Sequence, residues 1–524
     1  MNDATITVDT LRLLVPEMIL ATMAAWIYVG GAFSSARVTW NGSALVALLL
    51  AGYALYVQNT LPAALAEPLS GPLVVDYFSQ ALRWVALAVG LLFVLLSQRA
   101  ADDRLASEYL GSLLLVLTGL MLVSISGDLV LLFLGLELIS IPTYILLFLG
   151  RADASSQEAT TKYFFLSILS SAILLYGFSF LYGVAGSTRL VDIRAALAVA
   201  DVAAGGLPSL LPVTLLLIVA GLGFKLAAVP FHFYAPDVYQ GTSSANAALL
   251  SVAPKLAGVV ALVRIVVVAM PHESAFAWQM LLVMSLVTMT LGNVLALWQD
   301  HIRRLLAYSS IAHSGYILIG LTAALAMPSA AGYNGVAAAM FYTTVYALAT
   351  IGAFAALVYL GRDEQPIDRV DQLSGLARTR PLPAAAMAVF MFSLAGIPPL
   401  AGFWGKFALF TGAMGVNLSA DGQAGSAGTW LLVLAVAGVV NAAIAAAYYL
   451  RIVAVMYFRP SKASPAAQGG AGAWTAMVVT AAMVVVVGVH PALLVGRANE
   501  AAGAVGAGAE VHGSGPGSIL GRKT

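Results

Sequence analysis

Five ionisable side chains lie inside otherwise apolar stretches of the chain: Glu137, Lys162, Lys225, Lys255 and Lys406. Only 9% of all residues are charged, so the chain is sparing with charge and yet spends it where hydrocarbon is expected. One charge at the centre of a spanning helix costs roughly 2.5–3.5 kcal/mol on insertion scales. Several together imply on the order of 10 kcal/mol that water, partners or neutralisation must recover. The chemistry such groups offer is the holding and passing of protons or cations. Burial favours the uncharged form of an amine, and a nearby carboxylate favours the charged one. Moving Glu137 towards or away from a lysine would therefore switch that lysine between keeping and releasing its proton, and the titration would belong to the coupled set. His313, in YSSIAHSGYIL, is expected to bridge proton steps near neutral pH.

Each of these residues has a plainer reading. Glu137, Lys225, Lys255 and Lys406 could simply pair, although intramembrane charges are more often functional. Lys162, in ATTKYFFLS, lies near a helix end, where snorkelling and function stand side by side. His313 could be a hydrogen-bonded packing residue, and for His232 and His301 that reading is favoured. Arg264 and Arg451 are expected to snorkel at helix ends. Asp237 could cap or pair at one end of its helix. Glu17, Asp76 and Arg83 have no assigned role in this reading.

The elements that position these residues follow from composition. A 524-residue chain that is 61% hydrophobic, with mean hydropathy +0.93, has the make-up of a membrane protein. Apolar runs of about 20 residues recur throughout, whereas the short alternating segments of a membrane barrel do not. The expected fold is all-α and polytopic, with about fourteen spans. They fall near 11–33, 43–60, 73–97, 108–126, 128–149, 159–184, 210–239, 243–270, 275–299, 304–326, 333–360, 382–414, 430–458 and 470–495. Met1 to Thr10 lacks the basic region of a cleaved signal, so the first run is expected to be a retained span. The Gly/Ala-rich stretch after Ala498 is expected to be loosely attached.

Two spans carry helix breakers. The seventh contains GLGFKLAAVPFHFYAPDVYQG, with Pro230 and Pro236; the twelfth contains SLAGIPPLAGFWGKF, with Gly396, Pro398, Pro399 and Gly402. Proline lacks the helix donor and clashes with the preceding turn, so both helices should be discontinuous. Lys225 and Lys406 fall beside these breaks, and Lys255 is mid-span in SVAPKLAGV. The two broken spans are five apart and run in opposite directions, the signature of an inverted repeat of spans 4–8 and 9–13. The implied organisation is 1–107 as a three-helix segment, 108–270 and 275–458 as two repeats, and 459–524 as a last helix with a flexible tail.

Alternate loops differ sharply in positive charge. One set holds Arg37, Arg99, Arg104, Arg151, Arg303, Arg304, Arg362, Arg369, Arg378, Arg380, Arg459 and Lys462; the other holds only Arg189 and Arg194. The positive-inside rule makes the first set cytoplasmic and turns both termini outward. There is no cysteine, which excludes cysteine-ligated iron–sulfur clusters, thiol catalysis and disulfides. The six histidines are scattered, no phosphate-binding or dinucleotide fingerprint is present, and the net charge of +1 implies no nucleic-acid face. Any redox chemistry involving this chain is expected to sit on other polypeptides.

The segments VPFHFYAPDVYQG and LLSVAPK, with EATTKYFFLSILSSAILLYG, IRRLLAYSSIAHSGY and SLAGIPPLAGFWGKF, resemble the antiporter-like membrane subunits of respiratory complex I. The wording SVAPK and APDVY is most similar to the subunit N branch of bacterial NADH:quinone oxidoreductases. The resemblance spreads over spans 5–12. It implies a proton-translocating subunit of the bacterial inner membrane, working with other membrane-arm subunits and the lipid bilayer and driven by quinone reduction elsewhere in the complex. It also implies that this chain holds no cofactor, with NADH, FMN, iron–sulfur clusters and quinone bound by partners. Glu137 and Lys225 look like the family's carboxylate–lysine pair, Lys255 its central lysine and Lys406 the lysine of the second broken helix. Lys162 and His313 match further positions of the polar axis. The chain departs from the family pattern where TSSANAA follows YQG in place of a proline–threonine–proline run, and where LSILSS replaces a glycine-rich patch. A subunit of a cation/proton antiporter shares the broken helices and buried lysines, and a membrane scaffold with merely paired charges is a third reading.

Overall fold

The structure is a computed structural model, and it describes residues 8–60, 72–99, 102–150, 153–204, 210–271, 274–326, 335–361, 366–418, 426–461 and 467–511. The loop charges Arg151, Arg362 and Lys462 lie outside those residues.

Twenty α-helices follow one another among the described residues. The first four are α1 (Val8–Leu13), α2 (Val15–Gly31), α3 (Arg37–Thr60) and α4 (Tyr77–Leu96). Next come α5 (Ala106–Ile125), α6 (Leu129–Gly150), α7 (Ala154–Ala185), α8 (Leu190–Ala204), α9 (Leu211–Leu226), α10 (Ala235–Gly241) and α11 (Ser244–Leu262). The second half holds α12 (Ser274–Leu297), α13 (Ile302–Ala326), α14 (Gly335–Leu360), α15 (Leu376–Thr379), α16 (Pro381–Ala395), α17 (Ala401–Leu418) and α18 (Ser426–Phe458). The chain closes with α19 (Gly470–Val489) and α20 (Ala492–Val511). Among the described residues, β-structure is confined to three isolated bridges. Eleven helices there are long and apolar enough to cross a membrane, and three shorter apolar ones, 15–31, 211–226 and 381–395, accompany them. The protein is an all-α polytopic membrane protein.

Both expected breaks are present. The helix α9 ends at Leu226, where Ala227 turns left-handed at φ 54°, and the chain restarts as α10 with Pro236 in its first turn. In the second broken span α16 ends at Gly396, whose φ of 89° is the left-handed geometry that a side chain resists. The amide of Gly396 donates to the carbonyls of Phe392 and Ser393, and α17 restarts five residues later.

Small residues set the closest contacts. A Cβ on Gly119 would lie 2.8 Å from the carbonyl of Gly135, locking α5 to α6, and one on Gly292 would lie 2.6 Å from the amide of Ala312, locking α12 to α13. Without a hydrophobic force between helices in lipid, such backbone approach is what packing rests on.

Two expectations need amending. The stretch after Ala498 is not loose as far as Val511: it continues α20, with Ala498, Ala501, Ala502 and Val505 buried. Between α7 and α9 the chain forms a further helix, α8. Arg264 does not snorkel. It is buried on a π-helical turn over Val263–Ala269 and grips Asp76 with both nitrogens at 2.7 and 2.9 Å. Asp76 in turn caps α4 by accepting from the amide of Ser79 at 2.7 Å. Glu17 and Arg83 find each other as well, in a buried two-point pair at 2.7 and 2.5 Å that ties α2 to α4.

Candidate functional site: a buried line of lysines, tyrosines and one histidine

Lys225 occupies the last turn of α9 and is buried. A cation there faces the negative end of the helix dipole. Its ammonium donates to the hydroxyl of Ser140 at 2.6 Å and of Ser167 at 3.4 Å, residues of α6 and α7. Glu137 sits three residues before Ser140, half-buried, and accepts from Ser171 at 2.5 Å. The expected carboxylate–lysine pair is therefore not in direct contact: among the described residues no ion pair within 4 Å joins Glu137 to Lys225, and serines touch each of them.

Lys255 lies in α11 directly after the internal Pro254 and is almost fully buried. It donates to the backbone carbonyl of Ser310 on α13, and its ammonium stands 5.2 Å from the centre of the Tyr346 ring. Ser310 is a junction. Its hydroxyl accepts from Tyr346 at 2.9 Å and meets Tyr239 at 3.3 Å, while Ser314 donates to the Ser310 carbonyl at 3.3 Å and to the carbonyl of Leu226, next to Lys225.

One turn along α13, His313 is held at both nitrogens: Nδ1 meets the hydroxyl of Tyr342 at 2.6 Å and Nε2 that of Tyr449 at 3.0 Å. Its ring lies 4.8 Å from Tyr346 and 5.9 Å from Tyr316. Lys406 completes the line. It stands 4.8 Å from the Tyr316 ring centre and reaches back from α17 to the carbonyls of Leu394 and Ala395, both at 3.0 Å. Those carbonyls belong to the last turn of α16, where the break removes their helical donors.

The structure thus brings Lys225, Lys255, His313 and Lys406 into one buried succession, with Glu137 at its edge. It does not bring Lys162 there. That side chain is 41% exposed and pairs with Glu158 at 2.7 Å and Asp237 at 2.9 Å, and Asp237 also holds Arg304 at 2.6 Å. Sequence reasoning missed the hydroxyls between the lysines. Their signal was helical spacing: His313 and Ser314 follow Ser310 by three and four residues on α13, and Tyr346 follows Tyr342 by four on α14. Hydroxyl and imidazole groups both donate and accept, so they can hand a proton on, whereas a charged lysine only donates. Among the described residues no group of three or more His, Asp or Glu is placed to hold a metal ion.

A many-helix membrane protein with interrupted helices and protonatable groups at the interruptions is the class this geometry defines. Residues 126–431 match the family described as NADH:quinone oxidoreductase/Mrp antiporter, TM. The chain is 36% identical over 94% of its length to NADH-quinone oxidoreductase subunit N of Trichlorobacter lovleyi, of which 96% is covered. A chain of respiratory complex I from Thermus thermophilus superposes with a TM-score of 0.74 at 32% identity, over 92% of this chain and 98% of that one. A chain of the Mrp complex from Dietzia shares the fold, with a TM-score of 0.79 at 23% identity over 96% and 99%. The chain belongs to the NADH:quinone oxidoreductase/Mrp antiporter membrane-subunit family.

Proposed function

We propose that this chain is a membrane-arm, proton-translocating subunit of a bacterial NADH:quinone oxidoreductase, assembled with other subunits that carry the cofactors and reduce the quinone. One observation carries the reading: Lys225, Lys255, His313 and Lys406 are all buried and are bridged by the backbone carbonyls of Leu226 and Ser310, which Ser314 and Lys255 reach, and by the rings of Tyr346 and Tyr316. In this mechanism Lys225, Lys255, His313 and Lys406 hold the proton in turn and the hydroxyls pass it. Glu137, one serine removed from Lys225's surroundings, biases the charge of that lysine when neighbouring helices shift. Lys162 stands apart from that run, exposed near the start of α7 between two carboxylate partners, where it exchanges protons with water.

The inverted-repeat reading, with about fourteen spans and broken helices seven and twelve, draws support from two equivalent loops. Ahead of α6 the amide of Leu129 donates to Thr188 and that of Leu190 to Gly127, both at 2.9 Å. Ahead of α13 the amide of Ile302 donates to Asp368 at 2.7 Å and that of Val370 to Asp300 at 3.0 Å. The same two-bond clasp therefore opens the second helix of each unit, and Gly119 and Gly292 make the matching close contacts. The excess of arginine on one set of loops puts that set in the cytoplasm and both termini outside.

The test is Lys255→Ala in the assembled complex, reading proton pumping per NADH oxidised. Loss of a proton-transfer group should cost on the order of 10²-fold in coupled turnover. Full assembly with unchanged pumping would remove the relay and leave a scaffold. Co-purification with cation-exchanging subunits, and no NADH-oxidising ones, would favour the antiporter instead.

A further inference from the structure

Beside the line of lysines and tyrosines lies a second buried polar cluster, which the relay does not use. Asn293 on α12 is fully buried and reaches two other helices. Its amide nitrogen donates to the hydroxyl of Tyr316 on α13 at 3.1 Å and to Oδ1 of Asn441 on α18 at 3.2 Å. Its own Oδ1 accepts from the hydroxyl of Tyr448, also on α18, at 3.0 Å. Asn441 in turn donates to the backbone carbonyl of Ala437 at 3.0 Å and to the hydroxyl of Thr290 at 3.2 Å. A side-chain amide offers two donor hydrogens and one oxygen, so both ends of Asn293 are engaged.

The directions of these bonds are not interchangeable. The Ala437 carbonyl can only accept, so Asn441 must turn its nitrogen towards it and its oxygen towards Asn293. Turning Asn293 over would then set two carbonyl oxygens against each other. Asn293 is therefore held with its nitrogen towards Tyr316, and the Tyr316 hydroxyl oxygen is the acceptor. Amides are not among the groups that titrate, so this cluster can hold a hydroxyl but cannot keep a proton in transit.

What it holds is the residue between two proton-holding groups. The Tyr316 ring faces the Lys406 ammonium at 4.8 Å and borders the His313 ring at 5.9 Å. An ammonium is attracted to an aromatic ring where the face is presented to it. A tyrosine ring is fixed when both of its ends are fixed: the backbone of α13 holds one, and Asn293 holds the other. Tyr342 and Tyr449 spend their hydroxyls on His313, whereas Tyr316 spends its own outside the line.

We infer that Asn293 is a positioning residue for Lys406: through the Tyr316 hydroxyl it fixes the ring face against which the ammonium is held. The lysine of the second break is thus aimed from α12, a helix that contributes no proton-holding group. The inference rests on the relay proposed above, in which Lys406 holds a proton.

The experiment is a double-mutant cycle in the intact complex, reading coupled turnover and the thermal midpoint on the same preparations. Asn293→Leu removes the donors at similar volume, and Tyr316→Phe keeps the ring and removes the acceptor. Each alone should lower coupled turnover several-fold, and the double variant should be no slower than Asn293→Leu, because both changes delete one bond. The thermal midpoint should fall further with Asn293→Leu, which also gives up the bonds to Asn441 and Tyr448. Turnover losses that multiply, or that track the midpoints, would make Asn293 a packing residue and overturn the inference. Wild-type turnover in either single variant would do the same. Lys406→Met separates this from the relay itself. If it cripples pumping and Asn293→Leu does not, the inference falls alone; if it pumps normally, both fall. Should Asn293→Leu fail to assemble, Asn293→Ser, which leaves room for water beside the abandoned partners, takes its place in the cycle.

Discussion

Lys225 and Lys406 stand on opposite sides of the breaks they serve. Lys225 belongs to the half-helix before its break and is held by hydroxyls of two other helices; Lys406 follows its break and is held by carbonyls of its own severed helix. The surroundings diverge as well. Counting eight residues from the first residue of the clasped helix gives Glu137 on α6 and Ser310 on α13; counting eleven gives Ser140 and His313. Serines thus hold Lys225, with the carboxylate beyond their contacts, whereas Lys406 faces the Tyr316 ring and the matching position on α13 carries a histidine between two tyrosines. Contacts from other helices make Lys225 sensitive to how α6 and α7 sit, while Lys406 travels with the break itself. On the relay proposed above, the first is the lysine that switches and the second the one that stays.

The largest expected effect sharpens this contrast. Lys225→Met, which keeps the side-chain volume, should lower coupled turnover on the order of 10²-fold and leave the stability of the complex nearly unchanged. Nothing is orphaned by the change, since Ser140 already donates to the carbonyl of Leu136 at 2.8 Å. Lys406→Met should do both kinds of damage. Two buried carbonyls lose their donor, each worth roughly 1–3 kcal/mol when left unsatisfied, so the thermal midpoint should fall together with turnover. Measuring pumping and melting on the same two preparations separates the roles. Equal destabilisation by both substitutions would erase the distinction. A smaller effect is expected from Ser140→Ala, which removes the 2.6 Å contact of Lys225 and leaves the 3.4 Å one. A hydrogen bond to a charged group is worth about 1.5–3 kcal/mol, so coupled turnover should drop roughly tenfold with assembly intact.

Much of this was legible from the chain. The breaks were, because proline and glycine clusters inside oily runs have few other meanings. The lysines were, because a charge in an apolar run stands out against 9% charged residues. The serines and tyrosines were not, because such residues are ordinary in membrane helices and only the packing of α13 against α11, α14 and α18 turns them into a chain. The buried pairs were invisible for a related reason: Glu17 and Arg83 are 66 residues apart and Asp76 and Arg264 188 apart, so no local spacing joins them. The helix α20 was hidden by composition, since its glycines and alanines argue for disorder until small residues are seen packed against α4 and α14.

The smallest expected effect distinguishes the two clasps. The first loop, Gly127–Leu129 with Thr188–Leu190, has no histidine; the second has His301 directly before α13. Burial, and then the Arg303 guanidinium, push His301 down to about 4, and Asp368 at 3.7 Å pulls weakly the other way because Arg303 engages it at 2.6 Å. The fold therefore favours the neutral ring, whereas an unfolded chain protonates it near 6.5. Between those values the unfolded state binds more protons, so this contribution is fully present above about pH 6.5 and is lost as the pH falls towards about 4. The His301→Gln complex should keep its neutral-pH melting point but lose less of it on acidification, by roughly 1–2 °C at pH 4.5. Scanning calorimetry of the two complexes from pH 7.5 to 4.5 measures the difference. Identical acid slopes would mean that the clasp ahead of α13 opens independently of this ring, and that the two loops respond to pH alike.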